Sequence, residues 1–273
     1  MSMWTEIRHN ILVQFSVLLY VVLAIWWLTI FQRGLTSGLE NNIYTLAYPL
    51  LSLLGGVIGV ISAQKWGGFR SQFGLGIYLF SFGLLAQFLG QLLYAYYIYI
   101  QGIQVPYPSL GDIGYFGSVI LYAVAVLVFG RVIGAQVNFK SIGGKLQAFI
   151  IPACILVASY LYFLEGYSFD WSNWIKIVLD FGYPLGEALY VSLAIVLLLL
   201  SRNVLGGMMR NPMRLLIAAL VVQYFCDFMF LYQANNGTWY VGGVNDFLYS
   251  TSYLLMTLVL TYILATYRRV QAS

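Results

Sequence analysis

Residues 175–201 read IKIVLDFGYPLGEALYVSLAIVLLLLS, a run in which only Lys176, Asp180 and Glu187 carry charge. A helix rises about 1.5 Å per residue, so about 20 such residues cross a hydrocarbon core about 30 Å thick. Seven further stretches have the same character, at 11–31, 43–64, 74–101, 110–134, 145–164, 212–233 and 244–267. The whole chain agrees, with 61% of its 273 residues hydrophobic and 8% charged, against about 25% charged in a soluble domain. This composition excludes a water-soluble protein, and the surplus of apolar surface excludes a disordered one. The expected fold is an all-α integral membrane protein, one eight-span domain over 1–273, whose short connections leave no room for a soluble effector domain. The first span is expected to stay in the mature protein. Its apolar run outlasts a signal-peptide core, and Ala24-Ile25-Trp26-Trp27 offers no small-residue cleavage site.

Charge orients the spans. With the N-terminus inside, the inner segments hold Arg8, Lys65, Arg70, Arg131, Lys140, Lys145, Arg202, Arg210, Arg214, Arg268 and Arg269, leaving only Arg33 and Lys176 outside. Basic residues collect on the cytoplasmic side of membrane proteins, so both termini are expected there, in a cytoplasmic (inner) membrane. The net charge of +4 is then a feature of topology, and no nucleic-acid partner is expected. Membrane lipids are the expected surroundings. Cys154 and Cys226 both fall inside spans and support neither a disulfide framework nor a metal site.

The chain also matches itself. Span 4 opens Asp112-Ile-Gly-Tyr115, span 6 Asp180-Phe-Gly-Tyr183 and span 8 Asp246-Phe-Leu-Tyr249. Span 2 offers Thr45-Leu-Ala-Tyr48-Pro49-Leu50 beside Asp180-Phe-Gly-Tyr183-Pro184-Leu185. The steps from 45 to 112, 180 and 246 are 67, 68 and 66 residues. Even spacing of this kind predicts four tandem two-helix repeats, near 11–64, 74–134, 145–201 and 212–267. Gln87 and Gln91 in span 3 lie 136 residues before Gln223 and Asp227 in span 7, whereas spans 1 and 5 show no clear match.

On a helix, positions i, i+3 and i+7 share a face. Span 6 therefore carries Asp180, Tyr183, Glu187 and Tyr190 on one stripe. Asp112, Tyr115 and Tyr122 align in span 4, Asp246, Tyr249 and Tyr253 in span 8, and Thr45, Tyr48 and Ser52 in span 2. Polar groups turned to lipid have no partner, so these stripes are expected to line the bundle interior. Outside the spans, Glu6 is the one inner acid, while Glu40, Glu165 and Asp170 occupy outer loops. A carboxylate at the depth of Glu187 costs about 2.5 to 3.5 kcal/mol on insertion scales and needs a donor, a cation or a proton.

Each residue also has a plainer role open to it. Ser109-Leu-Gly-Asp112 resembles a capping box, with Ser109 accepting from first-turn amides and Asp112 at the positive end of the helix dipole. Asp246 follows a Gly-rich turn and invites the same role. Asp180 and Asp227 read either as structural hydrogen-bond acceptors or as part of a ligand or proton site, and Glu187 stays open between the two. Tyr94, Tyr96, Tyr97, Tyr99, Trp171 and Trp174 suit an interfacial belt. The pairs Gly55/Gly59, Gly130/Gly134 and Gly182/Gly186 suit close helix packing, and Pro49 and Pro184 mark matching bends. The only histidine, His9, precedes the first span, so haem, His-zinc and Ser-His-acid chemistries lack support. No Walker loop or dinucleotide fingerprint is present, and no cofactor is indicated.

The strings Pro108-Ser109-Leu-Gly-Asp112-Ile-Gly-Tyr115, Tyr183-Pro184-Leu185-Gly186-Glu187, Cys226-Asp227-Phe228 and Asn245-Asp246-Phe247-Leu248-Tyr249 resemble the multi-span input region found ahead of some bacterial diguanylate cyclases and sensor histidine kinases. The resemblance covers roughly residues 105 to 265. It implies a sensory, ligand-responsive membrane module. The chain departs from that family by carrying no output domain before Ser273, so a signal would pass to a separate partner protein. A weaker, purely architectural similarity is to eight-span lysoplasmalogenase-like hydrolases, whose span-3 histidine pattern is replaced by Ala86-Gln87-Phe88-Leu89.

The expectation is a non-enzymatic, sensor-like binding module. Its outward-facing pocket is lined by Asp180, Tyr183, Glu187 and Asp227, with Asp112 and Asp246 at the mouth and Tyr115 and Tyr249 on the same stripes. An intramembrane hydrolase or transporter using the same carboxylates is the alternative, and a structural subunit of a membrane complex the third.

Overall fold

A computed structural model describes residues 10–103, 105–132, 142–201 and 210–272. Glu6, Arg8, His9, Gly134, Lys140 and Arg202 lie outside the described residues. The elements run α1 (Ile11–Gln32), α2 (Leu39–Ala47), α3 (Leu50–Lys65), α4 (Gln72–Ala95, extended by a π-helical turn over Tyr96–Gln101), α5 (Gly111–Val132), α6 (Ile142–Phe163), α7 (Trp174–Ser201), α8 (Arg210–Asn235) and α9 (Val244–Ala272). Among the described residues, eight helical stretches are long and apolar enough to cross a membrane, with α2 and α3 together making the second. The expected boundaries agree with these to within a few residues.

Local chemistry sets the ends. Asn10 caps α1 by accepting from the Leu12 amide at 3.0 Å, and Ser71 caps α4 by accepting from the Gly74 amide at 3.3 Å. Both satisfy first-turn donors that have no partner inside the helix. The paired prolines differ. At Pro49 the helix is interrupted, with α2 ending at Ala47 and α3 starting at Leu50, and Ser52 Oγ donates to the Pro49 carbonyl at 2.7 Å. Pro184 sits inside an unbroken α7, so equivalent sequence positions do not produce equivalent breaks.

Packing closes six helices into a ring. The neighbours run α3, α4, α5, α7, α8 and α9, and α9 returns to α3. α1 leans on α9 and α6 on α7, both outside the ring. Their burial follows: 6% of the α6 apolar window is buried, 22% of the α1 window and 67% of the α9 window. These two peripheral helices are spans 5 and 1, the two that show no internal match in the sequence.

The tightest seam is α4 against α5. Gly76, Gly83 and Gly90 recur every seven residues on α4, and a Cβ on each would strike the rings of Phe129, Tyr122 and Tyr115 of α5, themselves seven apart. The glycines form a groove and the rings fill it, an arrangement that supplies dispersion contact where no hydrophobic effect acts between helices. Of the expected glycine pairs, Gly55 and Gly59 press on Thr257 and Ser81, and Gly182 and Gly186 on Phe116 and Val119. Gly130 has only Leu197 nearby, at 3.5 Å.

Candidate functional site

The polar stripes meet most closely on α7, α8 and α9. On α8, Gln223 and Asp227 are four residues apart and share a face, and Gln223 Nε2 donates to Asp227 Oδ1 at 2.9 Å. Ser252 Oγ of α9 donates to Gln223 Oε1 at 2.8 Å, which turns the amide so that its NH2 group faces the acid. Asp227 then accepts twice more, from Tyr190 of α7 at 3.0 Å and from Tyr249 of α9 at 2.9 Å. Three helices are tied to one carboxylate that is 7% exposed.

Glu187 is different. It lies one turn before Tyr190 on the same face of α7 and is 4% exposed. Its carboxyl is within electrostatic reach of Asp227, Tyr183, Tyr190 and Tyr249, yet it hydrogen-bonds to none of the described residues. Thirteen residues separate it from Trp174, about 20 Å along the helix and so near mid-depth. A buried carboxyl without a donor costs far more than a paired one.

The other expected site residues sit elsewhere. Asp112 accepts from the Ser109 amide at 2.7 Å and from Ser109 Oγ at 3.1 Å, and Tyr183 donates to its other oxygen at 2.7 Å. This is the returning half of a capping box. Ser109 donates to the acid, where the sequence suggested that it accepts from the helix. Asp246 likewise reaches back to the Gly242 amide at 2.7 Å while Thr45 Oγ1 donates to it at 2.9 Å. Asp180, half-buried, is tied by Tyr107 and Tyr167 of two connecting segments, each at 2.7 Å. Nothing in the sequence pattern pointed to those two tyrosines, one of them 73 positions away. Burial and the Asp180 carboxylate hold the Tyr107 hydroxyl well above the usual phenol range. Chiefly the Asp180 hydrogen bond pushes Tyr167 up to about 12. Tyr115 donates to Gln91 at 2.7 Å.

The structure thus brings Glu187, Asp227, Tyr183, Tyr190 and Tyr249 into one interior neighbourhood, joined through Tyr183 to Asp112. Asp180, Asp246 and Tyr115 belong to separate clusters. Among the described residues no three His, Cys, Asp or Glu side chains gather in a way that would hold a metal ion.

A second polar cluster faces the first across the ring. Gln87 Nε2 donates to Ser118 at 2.7 Å, and Tyr253 donates to Gln87 Oε1 at 3.0 Å. Gln87 with Ser118 and Gln223 with Ser252 are therefore matching residue pairs, though Gln87 donates to its serine and Gln223 accepts from its own; Gln91 with Tyr115 and Asp227 with Tyr249 match with the tyrosine donating in both. Between the clusters Tyr122 donates to Met256 Sδ at 3.7 Å, two residues that stand 134 apart, the same separation as Asp112 and Asp246. Ser118 and Ser252 have that separation too, a signal that aligning spans 4 and 8 beyond the Asp-x-x-Tyr string would have found.

No family model, curated protein or solved structure matches this chain.

Proposed function

We propose that this chain is a multi-pass membrane binding module of the sensor type, and that its ligand is a small cation or hydrogen-bond donor held between Glu187 and Asp227. The observation that carries the reading is the contrast between two matching halves. Offsets of 134 to 136 residues relate Gln87, Gln91, Asp112, Tyr115 and Ser118 to Gln223, Asp227, Asp246, Tyr249 and Ser252, and Ser52 to Glu187. The halves share their hydrogen-bond pairs, which supports a duplicated hairpin plan. Where one half uses Ser52 and Gln91, the other uses Glu187 and Asp227. A scaffold that closes with neutral residues on one side has no structural need for the added charge on the other, least of all at Glu187, which no described residue donates to.

Two carboxylates with no cation paired to them among the described residues repel strongly in a low-dielectric interior and lose their hydration. A proton, a cation or a donating ligand removes that cost, and Asp227, already fixed by three donors, gives the ligand a rigid reference point. Lys65, Arg70, Lys145, Arg214, Arg268 and Arg269 occur at the ends of α3 and α9, just before α4, and at the beginnings of α6 and α8. This distribution supports a cytoplasmic basic face with both termini on it and an acid site reached from the opposite side.

The test is thermal unfolding of the purified protein titrated with sodium, potassium and methylammonium chloride at constant ionic strength. The reading expects at least one cation to raise the melting temperature of the wild type and to leave Glu187→Gln unmoved. Equal responses in the two proteins, or none in the wild type across pH 5 to 9, would remove the site.

A further inference from the structure

At the basic end of the bundle a cleft of about 360 Å³ opens between α3 and α9, lined by Ile61, Lys65, Leu264, Tyr267, Arg268 and Gln271. Its walls are set before anything enters. Gly55 and Gly59 bring α3 close to α9, Trp66 Nε1 donates to the Ile263 carbonyl at 3.2 Å, and the Trp66 and Tyr267 rings meet edge to face at 5.5 Å. Lys65 and Arg268 put two positive charges into this fixed space. Neither pairs with a carboxylate among the described residues, where the ion pair seen joins Arg33 to Glu40. Ile61, 45% exposed, continues the cleft along the outward, apolar side of α3.

We propose that this cleft binds the phosphodiester headgroup of an anionic membrane lipid. The Arg268 guanidinium and Lys65 ammonium supply charge-assisted donors to the phosphate oxygens, and Tyr267 and Gln271 add neutral donors. The apolar wall at Ile61 and Leu264 carries the upper acyl segment, which a free phosphate would leave unused. Charge complementarity and position agree, because the last residue of α3 and the last turns of α9 lie where a span leaves the hydrocarbon and headgroups begin.

Native mass spectrometry of the full chain, titrated with phosphatidylglycerol, phosphatidylethanolamine or inorganic phosphate, tests this. At about 1 kcal/mol per basic residue, the double variant Lys65→Gln/Arg268→Gln loses about thirty-fold in phosphatidylglycerol affinity. Lys145→Gln, a basic residue on another helix, changes little, and Lys65→Arg/Arg268→Lys retains binding. The double variant keeps its melting temperature in phosphatidylethanolamine; if it does not fold, Arg268→Gln alone is expected to show about a five-fold loss. Equal losses in Lys145→Gln and the double variant would reduce the effect to diffuse surface attraction. Equal binding of phosphatidylethanolamine, or displacement of the lipid by millimolar phosphate, would overturn the assignment.

Discussion

Replacing Glu187 and Asp227 one at a time separates a ligand site from a structural knot. Asp227 accepts from Tyr190, Gln223 and Tyr249 at 3.0, 2.9 and 2.9 Å. In Asp227→Asn one carboxylate oxygen becomes an NH2 group, so one or two buried donors then face a donor. Each such loss costs about 1 to 3 kcal/mol, and the expected destabilisation is about 2 to 4 kcal/mol. Glu187→Gln orphans no donor, because no described residue donates to Glu187, and it removes a buried ionisable group. Its expected effect runs from zero to about 2 kcal/mol of added stability. The assay is reversible unfolding in a fixed detergent without added ligand, followed by tryptophan fluorescence. If Glu187→Gln destabilises as much as Asp227→Asn, Glu187 has a structural partner and the reasoning fails.

Three further outcomes are open to measurement. Gly83→Ala drives a Cβ into the Tyr122 ring, which is 1% exposed, and should cost about 1 to 3 kcal/mol; Gly117→Ala on α5, with open space around it, should be neutral or gain up to about 1 kcal/mol. The Asp180 clamp should weaken in alkali: a phenol whose folded value lies above its unfolded one contributes fully below about pH 10 and loses that contribution as pH rises through about 12, the value for Tyr167. Tyrosinate absorbance should then rise later in the wild type than in Asp180→Asn, and coincident curves would remove the clamp. Asp170 shows the opposite sign. Ser172 holds its carboxyl below the usual range, so its contribution is present at neutral pH and fades as pH falls through that lowered value, which carboxyl chemical shifts will follow.

How far the sequence could be read depended on the range of the interaction. The eight spans were legible because each is a local excess of apolar residues, and the second was placed at 43–64, within Leu39–Lys65, despite its break because hydropathy ignores backbone geometry. The capping role of Asp112 was legible because Ser109 is three residues away. The α7 stripe was legible as a stripe, but its members part company: Tyr183 goes to Asp112, Tyr190 to Asp227, and Asp180 to two loop tyrosines. Helical periodicity fixes which face a side chain leaves from and says nothing of which neighbour stands opposite. The heptad of glycines at 76, 83 and 90 was present in the sequence as plainly as the acids, and so was the aromatic heptad that fills it. Their match depends on α4 lying against α5, which no local pattern encodes.

Glu187 and Asp227 can both be replaced without loss of the fold, at a cost in stability that falls on Asp227, while binding requires both. Grafting the neutral half onto the charged one, as Glu187→Ser with Asp227→Gln, tests both at once when unfolding is followed with and without the cation that protects the wild type. The account predicts a folded protein, with an unfolding transition as sharp as that of the wild type, whose melting temperature no longer moves on addition of that cation. A graft that keeps the full cation response would contradict it.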